Sequence, residues 1–223
     1  MNTTQTRAKK GGFTLLELLI VITILAILTL VVVLFINPVE MLKKSRDVQR
    51  MSDMSTLNAA IGLYLQASPN NTLGGATYCG TTGTVLPAGA GTKIRASMPS
   101  SSGTTSQFTT SLYAATTTAD IARNDSNGWI PYINFSGVSS GAPIAKLPID
   151  PVNQLGATAS IDTLYYRFGC WQNNTFEIDA TLESDAYKSG STDDKAKTDG
   201  GNTEMRYEVG SDLRILPSSA PIL

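Results

Sequence analysis

A continuous apolar run from Phe13 to Ile36 limits this chain more than any other feature. Its 24 residues are interrupted only by Thr14, Glu17, Thr23 and Thr29. As a helix the run measures about 36 Å, enough to cross a hydrocarbon core of roughly 30 Å. A cleavable secretory signal is the alternative, but its apolar core is about 7–15 residues and ends in a small-residue cut site. Here Asn37-Pro38-Val39-Glu40 follows instead. Arg7, Lys9 and Lys10 precede the run and no acid does, so the positive-inside rule keeps residues 1–12 cytoplasmic and exports the rest. Lys43, Lys44, Arg46 and Arg50 beyond the run weaken that asymmetry, with Asp47 and Asp53 set among them.

Helical periodicity continues past the run. Leu42, Val48, Met51, Met54, Leu57, Ile61 and Tyr64 or Leu65 recur mostly three to four apart, with charged residues between them. That pattern predicts an amphipathic helix ending near Ala67, where Ser68-Pro69-Asn70-Asn71 stops it. The two halves together predict a rod of about 55 residues, on the order of 80 Å long, which Pro38 should kink or loosen. A domain of this size cannot cover such a rod. Its second half can pack on the chain's own globular part, but its first half needs lipid or copies of itself.

Residues 68–118 are rich in glycine, serine and threonine and predict a long loop region with a short strand or helix inside it. Trp129 to Phe135 predicts a short strand, irregular at Pro131. Leu164–Trp171 and Thr175–Leu182 flank Gln172-Asn173-Asn174 and alternate apolar with polar residues. They predict an antiparallel hairpin whose apolar face, with Tyr166, Phe168, Cys170, Phe176, Ile178, Ala180 and Leu182, receives the amphipathic helix. Tyr207–Val209 and Leu213–Leu216 suggest one more strand. The expected class is α+β: a long N-terminal helix, transmembrane then amphipathic, packed on a small antiparallel sheet.

Charge and composition exclude several functions. The net charge is −1, and the first twelve residues hold three bases and no acid, so residues 13–223 carry −4. Residues 120–223 hold 14 acids against 8 bases, which disfavours nucleic acid as a partner. There is no histidine, which removes Ser-His and Cys-His nucleophilic schemes. No P-loop or dinucleotide fingerprint occurs, and nothing fixes the carboxylates Asp179 and Glu183 in a cleft. The expectation is that the chain is not an enzyme. Cys79 and Cys170 both lie in the exported part, where a single disulfide is expected, with a pair of buried thiols as the alternative.

Lys10-Gly11-Gly12-Phe13-Thr14-Leu15-Leu16-Glu17, at the head of the apolar run, closely resembles the prepilin peptidase site, or class III signal, of type IV pilins and type II secretion pseudopilins. The resemblance covers residues 9 to about 36 and has specific implications. Cleavage would fall between Gly12 and Phe13, Phe13 would be N-methylated, and Glu17 would be the acid that sets subunit register in a filament. A carboxylate within the bilayer costs at least about 2.5 kcal/mol, and pairing with the new amine of a neighbouring subunit's Phe13 would offset that cost. Many family members place a proline about one turn earlier than Pro38. The segment Leu147-Pro148-Ile149-Asp150-Pro151-Val152-Asn153 before Tyr165-Tyr166 also looks like the Leu-Pro-x-Asp-Pro segment of major pseudopilins, and by itself reads as a rigid turn into a strand.

The division expected from this resemblance is a leader at 1–12, a transmembrane anchor at 13–36, an amphipathic continuation at 37–67 and an exported globular domain at 68–223. The implied function is a subunit of a pilus or pilus-like filament. A pseudopilin of a secretion or competence system, or a membrane-tethered adhesive minor pilin, remains an open alternative. The implied partners are further copies of the chain, prepilin peptidase, an inner-membrane assembly platform with its ATPase, and the bilayer. The precursor would be a single-pass membrane protein of the cytoplasmic membrane, and the mature chain would lie in an extracellular or periplasmic filament. Asp193, Asp194 and Asp199 lie in a loop where major pseudopilins often bind calcium, and oxygen ligands on a glycine-bearing loop suit that ion. Their spacing follows no strict pattern, and a solvated acidic loop is the preferred reading.

Overall fold

The computed structural model describes residues 12–68, 70–86, 94–99, 112–115, 121–153 and 164–218. Two compact units are distinguished, Met1–Met41 and Leu42–Leu223.

In the first unit, helix α1 runs from Leu15 to Ile36. Its 22 residues span about 33 Å, and every side chain described along it is exposed. It has no polar face, so no arrangement about its own axis hides it from water. Thr23 and Thr29 return their hydroxyls to the carbonyls of Ile20 and Leu25, which removes two free donors from an otherwise apolar cylinder. The expected unbroken rod is interrupted at Asn37, which adopts the left-handed conformation at φ 45°. Asparagine tolerates that region because its short polar side chain bonds locally. Pro38 then opens helix α2, Pro38–Ala67, at the one helical position where a missing N–H costs nothing. The Glu40 N–H donates to the Asn37 carbonyl at 3.1 Å.

In the second unit, the buried stripe of α2 is Met54, Leu57, Ala60, Ile61 and Tyr64, as the period of the sequence predicts. Leu42 and Val48, earlier in the same series, are exposed. The stripe shares one buried cluster with Phe168, Cys170, Phe176 and Ile178 of the sheet, and with Trp129, Ile130, Ile133 and Phe135. The predicted hairpin is present as β3, Tyr166–Cys170, and β4, Phe176–Ala180, with Phe168 opposite Ile178. Asn174, at φ 65°, makes the connection tight.

Among the described residues the sheet has five strands. β1, Ile94–Pro99, pairs antiparallel with β3 on one side and parallel with β2, Leu112–Ala115, on the other. β5, Tyr207–Gly210, pairs antiparallel with β4, giving the order β2-β1-β3-β4-β5. Two one-turn helices, α3 at Gly75–Tyr78 and α4 at Lys195–Thr198, lie in the loops.

One expected strand is absent, and another forms over only the first part of its expected span, at β5. Trp129–Phe135 folds as turns leading into a 3₁₀ turn at Phe135–Gly137, because Pro131 cannot donate to a ladder and Tyr132 sits at φ 78°. Trp129, Ile130, Ile133 and Phe135 enter the core all the same, while Tyr132 stays exposed. Leu213–Leu216 forms a turn whose Ile215 and Leu216 are buried against Leu86, Ile94 and Trp171. Gly169 of β3 makes that approach feasible, since a Cβ there would stand 2.7 Å from Leu216 and 2.9 Å from Leu86.

Ile61→Ala should lower the unfolding free energy of the detergent-solubilised chain by about 2–5 kcal/mol in urea titration. Leu63→Ala, on the exposed side of the same helix, should stay within about 0.5 kcal/mol of the parent. Equal losses at the two positions would mean the wrong face of α2 has been assigned to the core.

Candidate functional site

The head of α1 is a small, self-contained structure. Thr14 is the N-cap: its hydroxyl accepts the Glu17 N–H at 3.1 Å. The Glu17 carboxylate accepts the Thr14 N–H and hydroxyl, both at 2.9 Å. This reciprocal capping box satisfies donors that begin every helix. It also gives the Glu17 carboxylate partners within its own helix end. Phe13 is 91% exposed, and nothing lies within 4 Å of where a Gly12 side chain would be. Gly12 and Phe13 are thus both exposed. Arg7, Lys9, Lys10 and Gly11 lie outside the described residues.

A second constellation, which the periodicity conceals, ties α2 to the globular domain. Asp47 and Arg50 were expected on the solvated face and are instead fully buried. Arg50 donates to Asp150 through Nε at 2.7 Å and Nη2 at 2.9 Å, to Asp47 at 2.8 Å and to Glu183 at 2.8 Å. Arg46 adds a two-pronged contact to Glu183 at 2.6 and 2.8 Å. The acids are satisfied in turn. Asp47 accepts the N–H groups of Glu183 and Ser184, and Asp150 accepts those of Val152 and Asn153. Tyr166 of β3 donates its hydroxyl to Asp53 at 2.9 Å. One short stretch of α2 thereby holds the Asp150 turn, the segment after β4 and β3 in one register.

The electrostatics agree with that geometry. Burial works against the Arg50 charge, but the bonds and charges of Asp150, Glu183 and Asp47 outweigh it and raise its pKa. Burial likewise opposes an ionised Glu183, and Arg46 and Arg50 overcome it, lowering the carboxyl below its ordinary value of 4.5. A carboxyl depressed in the folded state contributes stability that is present above the unfolded value and lost as pH falls through the folded one.

The remaining candidate residues are placed as follows. Cys79 and Cys170 are joined by a disulfide, both buried, and it closes a separation of 91 residues between the end of α3 and the end of β3. Asp193 pairs with Lys195 at 2.7 Å. Asp194 caps α4, accepting from Lys197 at 3.0 Å and Gly190 at 2.7 Å. Asp199 accepts from Gly201 at 2.8 Å and Glu208 at 2.7 Å. Each of the three makes a local contact within or beside the loop. Among the described residues, the acids that converge are others: Glu177, Asp179 and Glu208, with an oxygen of each within 4.8 Å of the rest. Sequence alternation hides them, because Glu177 and Asp179 occupy the positions of β4 that read as its solvent face.

Comparison with known proteins adds one finding. Residues 7–33 match the family model for the prokaryotic N-terminal methylation motif, the class III signal of type IV pilins and pseudopilins. No curated protein and no solved structure matches the chain. The match coincides with the exposed Gly12–Phe13 bond, the Thr14–Glu17 box and most of α1.

Arg50→Met should destabilise the chain by about 3–5 kcal/mol in urea, because it leaves Asp47 and Asp150 buried without their cation and Glu183 with Arg46 alone. The parent should lose stability on acidification below roughly pH 4.5, as Glu183 is protonated, and the variant should show a shallower fall over the same range. Parallel acid profiles for the two proteins would remove Glu183 from the account.

Proposed function

We propose that this chain is a structural subunit of a type IV pilus or pilus-like filament, processed between Gly12 and Phe13 and assembled by bundling of its N-terminal helices. The observation that carries the reading is the methylation motif at residues 7–33, continuous with a helix that is apolar and exposed on all sides. The precursor waits in the cytoplasmic membrane with residues 1–12 as a cytoplasmic leader, 13–36 as anchor, and 37–67 leading to an exported domain at 68–223. Prepilin peptidase removes the leader, Phe13 is N-methylated, and a platform with an ATPase supplies the work of extraction.

In this reading Glu17 exchanges partners. Before assembly its carboxylate is occupied by Thr14. Afterwards it meets the amine of Phe13 on a neighbouring copy, a charge-assisted contact in low dielectric that fixes the axial step and penalises other registers. The capping box lowers the cost of holding the acid in the membrane until then. The chain's own work is assembly, with no chemical step.

A second use of the same machinery is favoured by Asp150. It stands between Pro148 and Pro151 in the segment that resembles major pseudopilins, and it is the acid that Arg50 grips with two bonds. On that reading the filament is a short pseudopilus that drives secretion.

Shearing intact cells and measuring the N-terminal mass in sheared and membrane fractions separates the readings. A chain beginning at N-methylated Phe13 and abundant in the sheared fraction is expected for a pilus. The same N-terminus confined to the membrane would favour the pseudopilin, and an intact leader in the presence of active peptidase would refute both. Glu17→Ala should leave the precursor folded and membrane-inserted while reducing filament yield at least tenfold. Normal filaments from that variant would remove the register role.

A further inference from the structure

The sheet has a second buried face, and its chemistry is unlike the first. Cross-strand register brings Arg167 of β3 opposite Asp179 of β4, and Asp179 opposite Glu208 of β5. Glu177 lies on the same face two residues before Asp179. All four are at most 1% exposed, and Arg206, just before β5, is 4% exposed. Arg167 and Arg206 both grip Asp179, the latter at 2.8 Å. Arg206 also donates to the Thr181 hydroxyl at 2.7 Å and the Tyr165 carbonyl at 2.9 Å.

The covering layer is residues 211–218, a strap anchored on one carboxylate. Glu177 Oε2 accepts the N–H groups of Ile215 at 2.7 Å and Leu216 at 2.8 Å. Glu208 Oε2 accepts from Thr203 at 3.3 Å. A Cβ on Gly201 would stand 1.5 Å from that oxygen, so the backbone is laid directly on the carboxylate. The other oxygens, Glu177 Oε1 and Glu208 Oε1, are buried and receive no N–H or hydroxyl among the described residues.

Charge decides what joins them. Three carboxylates face two guanidiniums, so with every acid ionised the cluster carries −1 in a site closed to water. A single proton brings it to zero. A divalent cation would leave it at +1 beside two arginines, and Asp179 already spends its oxygens on those arginines. We infer that Glu177 and Glu208 share one proton between their Oε1 atoms, and that this proton locks the 211–218 strap onto the outer face of the sheet.

The surroundings agree on the direction. Burial first, then the charge of Asp179 and the hydrogen bond with Glu208, raise the Glu177 carboxyl. Burial likewise raises Glu208, with Asp179 and Asp199 adding to it. The other charged groups are accounted for. Asp199 accepts the Glu208 backbone N–H at 2.7 Å. On the strap, Asp212 pairs with Arg214. On β1, Arg95 lies over Tyr78.

A carboxyl raised in the folded state keeps its proton after the unfolded chain has lost it. Folding stability is therefore greatest below the unfolded value and declines with rising pH until the folded pair titrates. Asp53 and Asp199 are raised as well, so the difference between variants is the quantity to read.

The test uses the full chain in detergent, comparing parent, Glu177→Gln and Glu208→Gln by urea unfolding from roughly pH 5 to about pH 8. In Glu177→Gln the new amide oxygen can still accept from Ile215 and Leu216, and the amide NH₂ can replace the shared proton. Across that range the parent's unfolding constant should rise about tenfold per pH unit more steeply than that of Glu177→Gln, the slope of one proton. Glu208→Gln should flatten the profile in the same way. Hydrogen exchange over 211–218, corrected for the intrinsic rate, should quicken with pH in the parent and not in Glu177→Gln. Parallel profiles in parent and variants would overturn the inference. So would stabilisation of the parent by calcium or magnesium, reversed by chelator and absent in Glu177→Gln, since that would place a cation where the proton is assigned.

Discussion

Everything in this molecule answers to a helix with no polar face. From Leu15 to Ile36 the described side chains are exposed on every side, and at about 25 cal/mol per Å² such a surface is not left in water. Lipid or the apolar faces of like helices can satisfy it. The two environments are nearly equal in apolarity, so transfer between them gains little from hydrophobicity alone, and specific contacts must decide register. That is why the only acid in the run matters. Under the proposed assembly, Glu17 is the one group in α1 whose energy would differ sharply between a correct and a shifted neighbour.

Asn37 and Pro38 divide the helical segment, and further along α2 the domain is gripped by Arg46, Asp47 and Arg50. A buried ion cluster is a poor source of net stability, because desolvation offsets most of its attraction. Its value is directional: Arg50 reaches Asp150 and Glu183 only in one register, whereas apolar packing of Met54, Leu57 and Ile61 would tolerate a slide. The disulfide between Cys79 and Cys170 adds a covalent constraint near the other end of β3. The Glu177–Glu208 pair closes the far face of the sheet.

Much of this was legible in the sequence where the signal is local and periodic. The limits of α1, the end of α2 at Ala67 and the β3–β4 hairpin follow from runs and alternation that a single window displays. The break at Asn37 was half visible, since Pro38 marked a disturbance without showing that Asn37 would turn left-handed. What depends on distant partners was not visible. Asp47 and Arg50 at helical spacing look like any solvated pair, and only the return of Asp150 and Glu183 to the same spot buries them. Arg167, Glu177 and Asp179 alternate as a solvent face does, and nothing local says that Ile215 and Leu216 will cover them. β1 is a short strand with Arg95 and Ser97 in it, defined by its pairing with β3 rather than by its own pattern. Trp129–Phe135 misled in the opposite sense: its composition is that of a strand, and Pro131 and Tyr132 turn it away from the sheet.

The most direct test of the central claim asks what surrounds α1. A nitroxide attached through Leu25→Cys, with the Cys79–Cys170 bridge left oxidised, reports its neighbours by electron paramagnetic resonance in membranes and in sheared material. The account predicts an isolated, oxygen-accessible label in the membrane and strong dipolar broadening between labels in the filament. A label that stays isolated and lipid-exposed in both fractions would contradict it, and would leave α1 as a simple tether.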